Sequence, residues 1–121
     1  VADLLNRVRA PFNVNALGLA AAAAVLSDHD YLERGRLVNQ AGMGQLLAGF
    51  KALGLSSIPS AGNFIAFEVP QDPGQVYQKL LHQGVIVRPV GVYDMPNHLR
   101  VSIGLEHENQ AFLSALPKVL D

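Results

Sequence analysis

The sequence contains no cysteine and carries little charge of either sign. Without cysteine the chain can form neither disulfide bonds nor thiolate metal sites, which fits a cytosolic protein without requiring one. Charged residues make up only 16% of the chain, with nine Lys and Arg against ten Asp and Glu. This balance leaves no basic excess to neutralise a phosphate backbone, so it argues against a general nucleic-acid binder.

Long apolar runs are absent as well. The longest, residues 16–26, falls short of the ~20 residues that span a bilayer, and it lacks the flanking pattern of a signal peptide. We therefore expect neither a membrane span nor a secretory leader. Hydrophobic residues nevertheless form 50% of the 121 residues, which excludes a disordered tail and is enough for one core. We expect a single domain over residues 1–121.

The spacing of apolar residues predicts helices that alternate with short strands. Helices are expected at residues 16–26, 31–53 and 73–83 and from about 106 onwards, and strands at 64–69, 85–87 and 99–103. Glycines leave a break in the long helix open, and Pro117 should kink the last helix. Three strands with helices on one face predict an α/β (α+β) two-layer sandwich with a small three- to four-stranded sheet.

Polar residues stand where the predicted helices begin. Asn13 or Asn15 can cap the helix that starts near residue 16. Asp30 and Glu33 have the spacing of a capping box at the start of the long helix. Asp72 can cap the helix that follows it, because a proline comes next and suits the first helical position.

Arg88 and Arg100 are the first candidates for a binding site. Each lies at or beside the end of a β-branched strand, and the loop 89–98 could bring both guanidinium groups to one mouth. Arginine suits bidentate recognition of a carboxylate or a phosphate. The alternative is an arginine that pairs with a carboxylate or extends over the surface, and the sequence alone leaves both open.

Three further polar residues, Arg9, Asn13 and Asn63, could contact a ligand. Arg9 and Asn13 flank a proline turn, and Asn63 precedes a strand. Helix capping is the plainer role for Asn13, and turn formation is the plainer role for Asn63.

The chain lacks the groups that would make it catalytic on its own. Its three lysines, Lys51, Lys79 and Lys118, lie on amphipathic helices and should point to solvent, where Schiff-base chemistry is not favoured. No two of its four histidines have the supported spacing of a helical metal site. We therefore assign no catalytic residue, cofactor-binding residue or metal ligand within these residues.

An ordered series of short motifs runs through the whole chain. The motifs are VRAPFNVN at 8–15, GNF at 62–64, GVIVRP at 84–89 and LRVSIG at 99–104, followed by EN at 108–109. Each is weak alone, but their order and spacing closely resemble the C-terminal part of the histidinol-phosphate aminotransferases. That group belongs to the fold-type I aminotransferases, which depend on pyridoxal phosphate.

The resemblance implies that residues 1–121 are a small C-terminal domain. It would pack on a larger domain, absent here, that binds pyridoxal phosphate and carries the Schiff-base lysine upstream of Val1. A first residue other than methionine fits such a processed or excised fragment. The intact enzyme would be a cytoplasmic homodimer that transfers an amino group between histidinol phosphate and 2-oxoglutarate, and the fragment alone would be inactive.

The resemblance also suggests roles for single residues. Arg100 matches the family arginine that holds the acidic group of the substrate, and Arg88 matches a second arginine near that phosphate. Arg9 and Asn13 match a segment that approaches the active site across the dimer, and Asn63 lies in the GNF motif. The substrate-binding set implied in this way is Arg100, Arg88, Arg9, Asn13 and Asn63.

Two alternatives stay open at this point. Aromatic amino-acid aminotransferases and a phosphothreonine decarboxylase share the small-domain pattern, and the residues that separate them lie largely in the absent domain. The chain could also be a stand-alone module in which Arg88 and Arg100 bind a small anion.

Overall fold

The chain divides into two compact units, Val1–Gly35 and Arg36–Asp121, and the computed structural model describes residues 1–9 and 12–120. The helices are α1 (Ala2–Val8), α2 (Ala16–Val25), α3 (His29–Ala52), α4 (Pro73–His82), α5 (Glu106–Ala115) and α6 (Pro117–Leu120), and the strands are β1 (Phe64–Glu68), β2 (Arg88–Pro89) and β3 (His98–Ser102). Among the described residues no helix combines the length and apolar character needed to cross a membrane. A single domain over residues 1–121 remains a prediction.

Side-chain caps fix the start of α2 and of α3. The Oδ1 atom of Asn15 accepts the N–H of Gly18 at 2.8 Å, so Asn15 is the cap of α2. At α3 the carboxylate of Asp28 accepts the N–H of Tyr31 at 2.9 Å. The expected capping by Asp30 is therefore wrong, because Asp30 already lies in the first turn of α3.

The long helix α3 is unbroken although it contains four glycines. Two of these glycines stand where the helix is closely packed. A Cβ at Gly42 would lie 2.5 Å from Cγ2 of Ile103, and a Cβ at Gly49 would overlap Cδ2 of Leu113. A residue with a side chain would not fit without movement, so glycine here serves close approach rather than a bend.

The three strands form one antiparallel sheet in the order β1-β3-β2. The expected strand at 85–87 is wrong in position, since β2 begins only after these residues. Val85, the first residue of the expected strand, instead belongs to the turn that ends α4, where its N–H donates to the carbonyl of Leu80 at 3.0 Å. Gly84 makes this reversal with a φ of 75°, a conformation that glycine adopts at little cost.

The core lies between the sheet and the helices. Alternate strand residues, among them Ile65 and Leu99, are fully buried and pack with residues of α3, α4 and α5. Phe50, Phe67 and Phe112 form an aromatic cluster at its centre, with ring centroids 4.7 to 6.0 Å apart. The predicted α/β two-layer sandwich, with helices on one face of a three-stranded sheet, is confirmed.

The end of the chain follows the expectation for proline. Helix α5 stops at Ala115, and the short helix α6 begins at Pro117. Proline lacks the N–H of a helical hydrogen bond and its ring clashes with the preceding turn, which accounts for the interruption here. Val119 of α6 still reaches the core, so the interruption redirects the last turn without exposing it.

Candidate functional site

One face of the sheet carries polar and charged side chains instead of core residues. Side chains alternate along a strand, so the neighbours of the buried residues point the other way. We call this surface the open face; it consists of Phe64, Ala66 and Glu68 of β1, Arg88 of β2, and His98, Arg100 and Ser102 of β3. These residues are all exposed or partly exposed within the second unit.

Arg88 of the edge strand β2 and Arg100 of the central strand β3 lie opposite each other on the open face. They are direct partners in the antiparallel pairing of β2 with β3, and neither guanidinium is paired with a carboxylate of the described residues. Like charges directly opposite each other destabilise a sheet. The loop between the strands thus brings the two predicted arginines together, in an arrangement that an anion would stabilise.

The acidic residue of the open face does not neutralise this pair. Glu68 lies opposite His98 in the register of β1 and β3, and its Oε2 accepts the hydroxyl of Ser56 at 2.9 Å. Two guanidinium groups therefore remain available to donate to a ligand. Such groups are suited to the planar, bidentate recognition of carboxylate or phosphate.

Phe64 contacts Arg100 and was not among the predicted site residues. The Cζ atom of Arg100 lies 4.8 Å from the centroid of the Phe64 ring, within the range of a cation–π contact. An apolar residue in a strand is normally assigned to the core, so the sequence did not single out Phe64 as a site residue. Alternation along β1 separates Phe64 from Ile65 and Phe67, but only the structure shows that Ile65 and Phe67 form the buried face.

Asn63 lies at the entry to β1 and has a structural role through its backbone. Its carbonyl accepts the N–H of Ile103 at 2.8 Å. Its side chain is exposed and makes no hydrogen bond within residues 1–9 and 12–120. The turn interpretation accounts for this position, and a contact of its side chain with substrate stays a prediction.

Arg9 and Asn13 belong to the first unit. The N–H of Arg9 donates to the carbonyl of Leu5 at 3.0 Å and closes α1, and the side chains of both residues are exposed. Asn13 does not cap α2, since Asn15 does. Residues 10 and 11 of the same motif lie outside the described residues, and the binding roles of Arg9 and Asn13 stay predictions.

The lysines lie where the sequence predicted them. Lys51, Lys79 and Lys118 are all exposed, and Lys79 donates to the carbonyl of Val119 at 3.3 Å. The described residues contain no cluster of three or more side chains suited to a metal ion. Fold and site together therefore define an α/β domain whose open face carries two opposed arginines.

Comparison with known proteins identifies the family. Residues 1–116 match the family described as aminotransferase class I and II, and the chain belongs to that family. It is 66% identical over 120 residues to histidinol-phosphate aminotransferase 2 of Pseudomonas aeruginosa, and 62% identical to the protein of that name in Pseudomonas fluorescens. Each alignment covers 99% of this chain and 32% of the relative. The resemblance drawn from the motifs is thereby confirmed.

A solved structure supports the same conclusion. The histidinol-phosphate aminotransferase of Sinorhizobium meliloti, in complex with pyridoxal-5'-phosphate, has a TM-score of 0.79 and 28% sequence identity to this chain. The match covers 98% of this chain and 34% of that one. The chain thus spans about a third of the length of the relatives it matches.

The described residues do not themselves fit the primary site of pyridoxal phosphate. That cofactor requires a lysine for its Schiff base and a partner for its pyridine nitrogen. The three lysines are exposed, and none lies on the open face. The arginine pair has the chemistry to bind an anion such as a carboxylate or a phosphate.

Proposed function

We propose that this chain is the small C-terminal domain of a pyridoxal phosphate-dependent aminotransferase that acts on histidinol phosphate and 2-oxoglutarate. Within that enzyme its task is to hold the acidic group of the substrate. The observation that carries this role is the direct opposition of Arg88 and Arg100, two like charges without a carboxylate partner among the described residues. The names of the similar proteins support the choice of substrate.

The chemistry of the substrates explains why arginine is suited to both half-reactions. Histidinol phosphate has no carboxylate, so its phosphate is the group to be held, whereas 2-oxoglutarate presents carboxylates. A guanidinium donates two parallel hydrogen bonds to either anion. Arg100 is partly buried and Arg88 is exposed. Because a less hydrated charge is screened less by water and salt, Arg100 makes the stronger contact.

The contribution of this domain to the reaction is orientation. When bound, pyridoxal phosphate supplies the electron sink for amino-group transfer. Two arginines that fix the far end of the substrate restrict how its amino-bearing carbon can lie, and such positioning accounts for much of the rate of many enzymes. The cofactor itself would be held by the larger domain of the same polypeptide.

The remaining parts of the proposal concern assembly. The enzyme would act as a homodimer, with Arg9 and Asn13 near the active site of the partner subunit and Asn63 near the substrate. A cytoplasmic location fits the absence of cysteine. We expect neither nucleic acid nor a membrane among the partners, since the chain has no basic excess.

The decisive experiment compares substrates on the full-length enzyme. We expect transamination of histidinol phosphate with 2-oxoglutarate to have a higher kcat/KM than transamination of aromatic amino acids, with no decarboxylation of phosphothreonine. Preference for an aromatic amino acid, or release of carbon dioxide from phosphothreonine, would overturn the assignment of substrate. A coding sequence that lacks the upstream domain, with phosphate binding by the 121-residue chain in calorimetry, would instead establish an anion-binding module.

A further inference from the structure

We propose that Phe64 is a positioning residue, whose ring supports the guanidinium group of Arg100 in the orientation that binds the substrate anion. This inference rests on the proposed role of Arg100. It assigns a function to an apolar side chain that the core does not use, and it identifies the contact that stabilises one member of the arginine pair.

The first argument is the position of the ring. Phe64 is 39% exposed, whereas Ile65 and Phe67 of the same strand are fully buried. Ile65 and Phe67 therefore form the core side of β1, and the apolar ring of Phe64 lies on the open face. What the ring contacts there is Arg100, with the guanidinium carbon 4.8 Å from the ring centroid.

The second argument is the like-charge neighbour. Arg100 lies between Arg88 on β2 and Ala66 on β1. Repulsion from Arg88 favours displacement of the Arg100 side chain, and the methyl group of Ala66 offers nothing to hold it. Phe64 and Glu68 are the two diagonal neighbours of Arg100 on β1, positions within reach of aromatic and long side chains, and the carboxylate of Glu68 accepts a hydrogen bond from the hydroxyl of Ser56 instead. The ring of Phe64 attracts the cation and so opposes the displacement.

The third argument is chemical. A carboxylate in the place of Phe64 would also hold Arg100, but it would occupy the N–H donors and cancel the charge. A phenyl ring has no hydrogen-bond acceptor of that kind. It therefore holds the guanidinium through the face of the ring and leaves the N–H groups free for an anion.

The turn before β1 fixes the position of the ring. The hydroxyl of Ser60 donates to the carbonyl of Phe64 at 2.7 Å and accepts the N–H of Gly62 at 3.2 Å. The carbonyl of Gly62 accepts the side-chain amide of Asn39 on α3 at 3.2 Å. A Cβ at Gly62 would lie 3.4 Å from the ring, in ordinary van der Waals contact, so Gly62 of the GNF motif lies beside Phe64. The backbone under the ring is thus tied to both β1 and α3.

The test uses the full-length enzyme and two substitutions of Phe64. Phe64→Leu keeps an apolar side chain and removes the aromatic face, whereas Phe64→Tyr keeps the ring. We expect Phe64→Leu to raise the KM for histidinol phosphate by about 3- to 10-fold, the size of a partly exposed cation–π contact, with a smaller change in kcat. Phe64→Tyr should keep a KM close to that of the wild type. A wild-type KM for Phe64→Leu would overturn the proposal.

A matched control separates positioning from general damage. Phe64→Leu is introduced together with Arg100→Ala, where no cation remains for the ring to support. The double variant should then have the same KM as Arg100→Ala alone, because the two residues act as one unit. An additional loss from Phe64→Leu in that background would show a merely structural role and contradict the proposal. If Phe64→Leu lowers the Tm, Phe64→Met replaces it in the same comparison.

The same variants also distinguish this inference from the proposed substrate. Binding of inorganic phosphate to the full-length protein is measured by calorimetry, independently of turnover. If the wild type does not turn over histidinol phosphate but binds phosphate, and the Phe64→Leu variant binds phosphate more weakly, the proposed substrate is refuted and the role of Phe64 is supported. An active wild type whose KM and phosphate affinity are unchanged in Phe64→Leu would support the substrate and refute the role of Phe64.

Discussion

Arg88 and Arg100 lie directly opposite each other on neighbouring antiparallel strands, without a carboxylate partner among the described residues. The partly buried Arg100 also contacts the ring of Phe64 at 4.8 Å, whereas Arg88 is exposed. The two residues are therefore unequal. One is held in place by its surroundings, and the other adds charge from the edge of the sheet.

This inequality predicts unequal effects of removing each arginine. In the full-length enzyme, Arg100→Ala should raise the KM for histidinol phosphate by about 10- to 100-fold, since a hydrogen bond to a charged group contributes about 1.5–3 kcal/mol. Arg88→Ala should raise it less, and that increase should shrink at high salt because exposed charges are screened. Steady-state kinetics at two salt concentrations measures both effects. An unchanged KM for Arg100→Ala would refute its role as the anchor.

Replacement of Arg100 by lysine tests the geometry rather than the charge. Lysine keeps a positive charge but cannot donate two parallel hydrogen bonds from one plane. We therefore expect Arg100→Lys to recover only a small part of the affinity lost in Arg100→Ala, as measured by the KM for histidinol phosphate. The matched substitution Arg88→Lys should be close to wild type, because an exposed charge at the edge acts mainly through its sign. A wild-type KM for Arg100→Lys would show that binding depends on the positive charge alone and not on the geometry of the guanidinium group.

The pairing of the arginines was only partly foreseeable from the sequence. Their positions beside strand ends suggested that both contribute to one binding site. That they lie directly opposite each other depends on the register of β2 and β3. The register follows from where β2 begins, at Arg88, after a reversal in which the N–H of Val85 donates to the carbonyl of Leu80 at the end of α4. Such a hydrogen bond depends on how the chain reverses at Gly84, and the apolar pattern of residues 85–87 equally favours a strand.

The role of Phe64 was missed for a related reason. Both faces of β1 carry apolar residues, Ile65 and Phe67 on one side and Phe64 and Ala66 on the other. Alternation separates the two sets but does not say which set meets the helices. Ile65 and Phe67 are the buried set because α3, α4 and α5 pack against their side of the sheet, and this packing is not evident from the sequence alone. Capping, kinking by Pro117 and exposure of the lysines depend on local chemistry, and most of these expectations were confirmed.

The isolated chain should be inactive. Its three lysines are exposed and none lies on the open face, so none of the described residues is placed to hold pyridoxal phosphate through a Schiff base. We expect no saturable change in cofactor absorbance and no transamination when the 121-residue chain is mixed with pyridoxal phosphate, histidinol phosphate and 2-oxoglutarate. The full-length enzyme is the positive control. Turnover by the isolated chain would contradict its assignment as a small domain.

Asn109 should be important for stability rather than for binding. It is a buried polar residue, 2% exposed, and its side chain accepts the N–H of Gly104 at 2.9 Å while donating to the carbonyl of Gly104 at 3.0 Å. Asn109→Ala leaves both backbone groups without their partner, which should lower the free energy of unfolding by about 1–3 kcal/mol. Urea unfolding of the 121-residue chain measures this. Asn63→Ala, at an exposed side chain without hydrogen bonds, is the control and should change little.

Two glycines of α3 should respond to alanine in opposite directions. A Cβ at Gly44 meets nothing within 4 Å, whereas a Cβ at Gly42 would lie 2.5 Å from Ile103 and 2.8 Å from Asn109. Gly44→Ala should therefore stabilise the helix by up to about 1 kcal/mol, through lower backbone entropy in the unfolded chain. Gly42→Ala has the same propensity gain, but it forces apart α3 and the segment after β3, and overpacking of this kind costs about 1–3 kcal/mol. Thermal unfolding of the two variants measures the difference, and equal Tm values would show that α3 does not pack closely at Gly42.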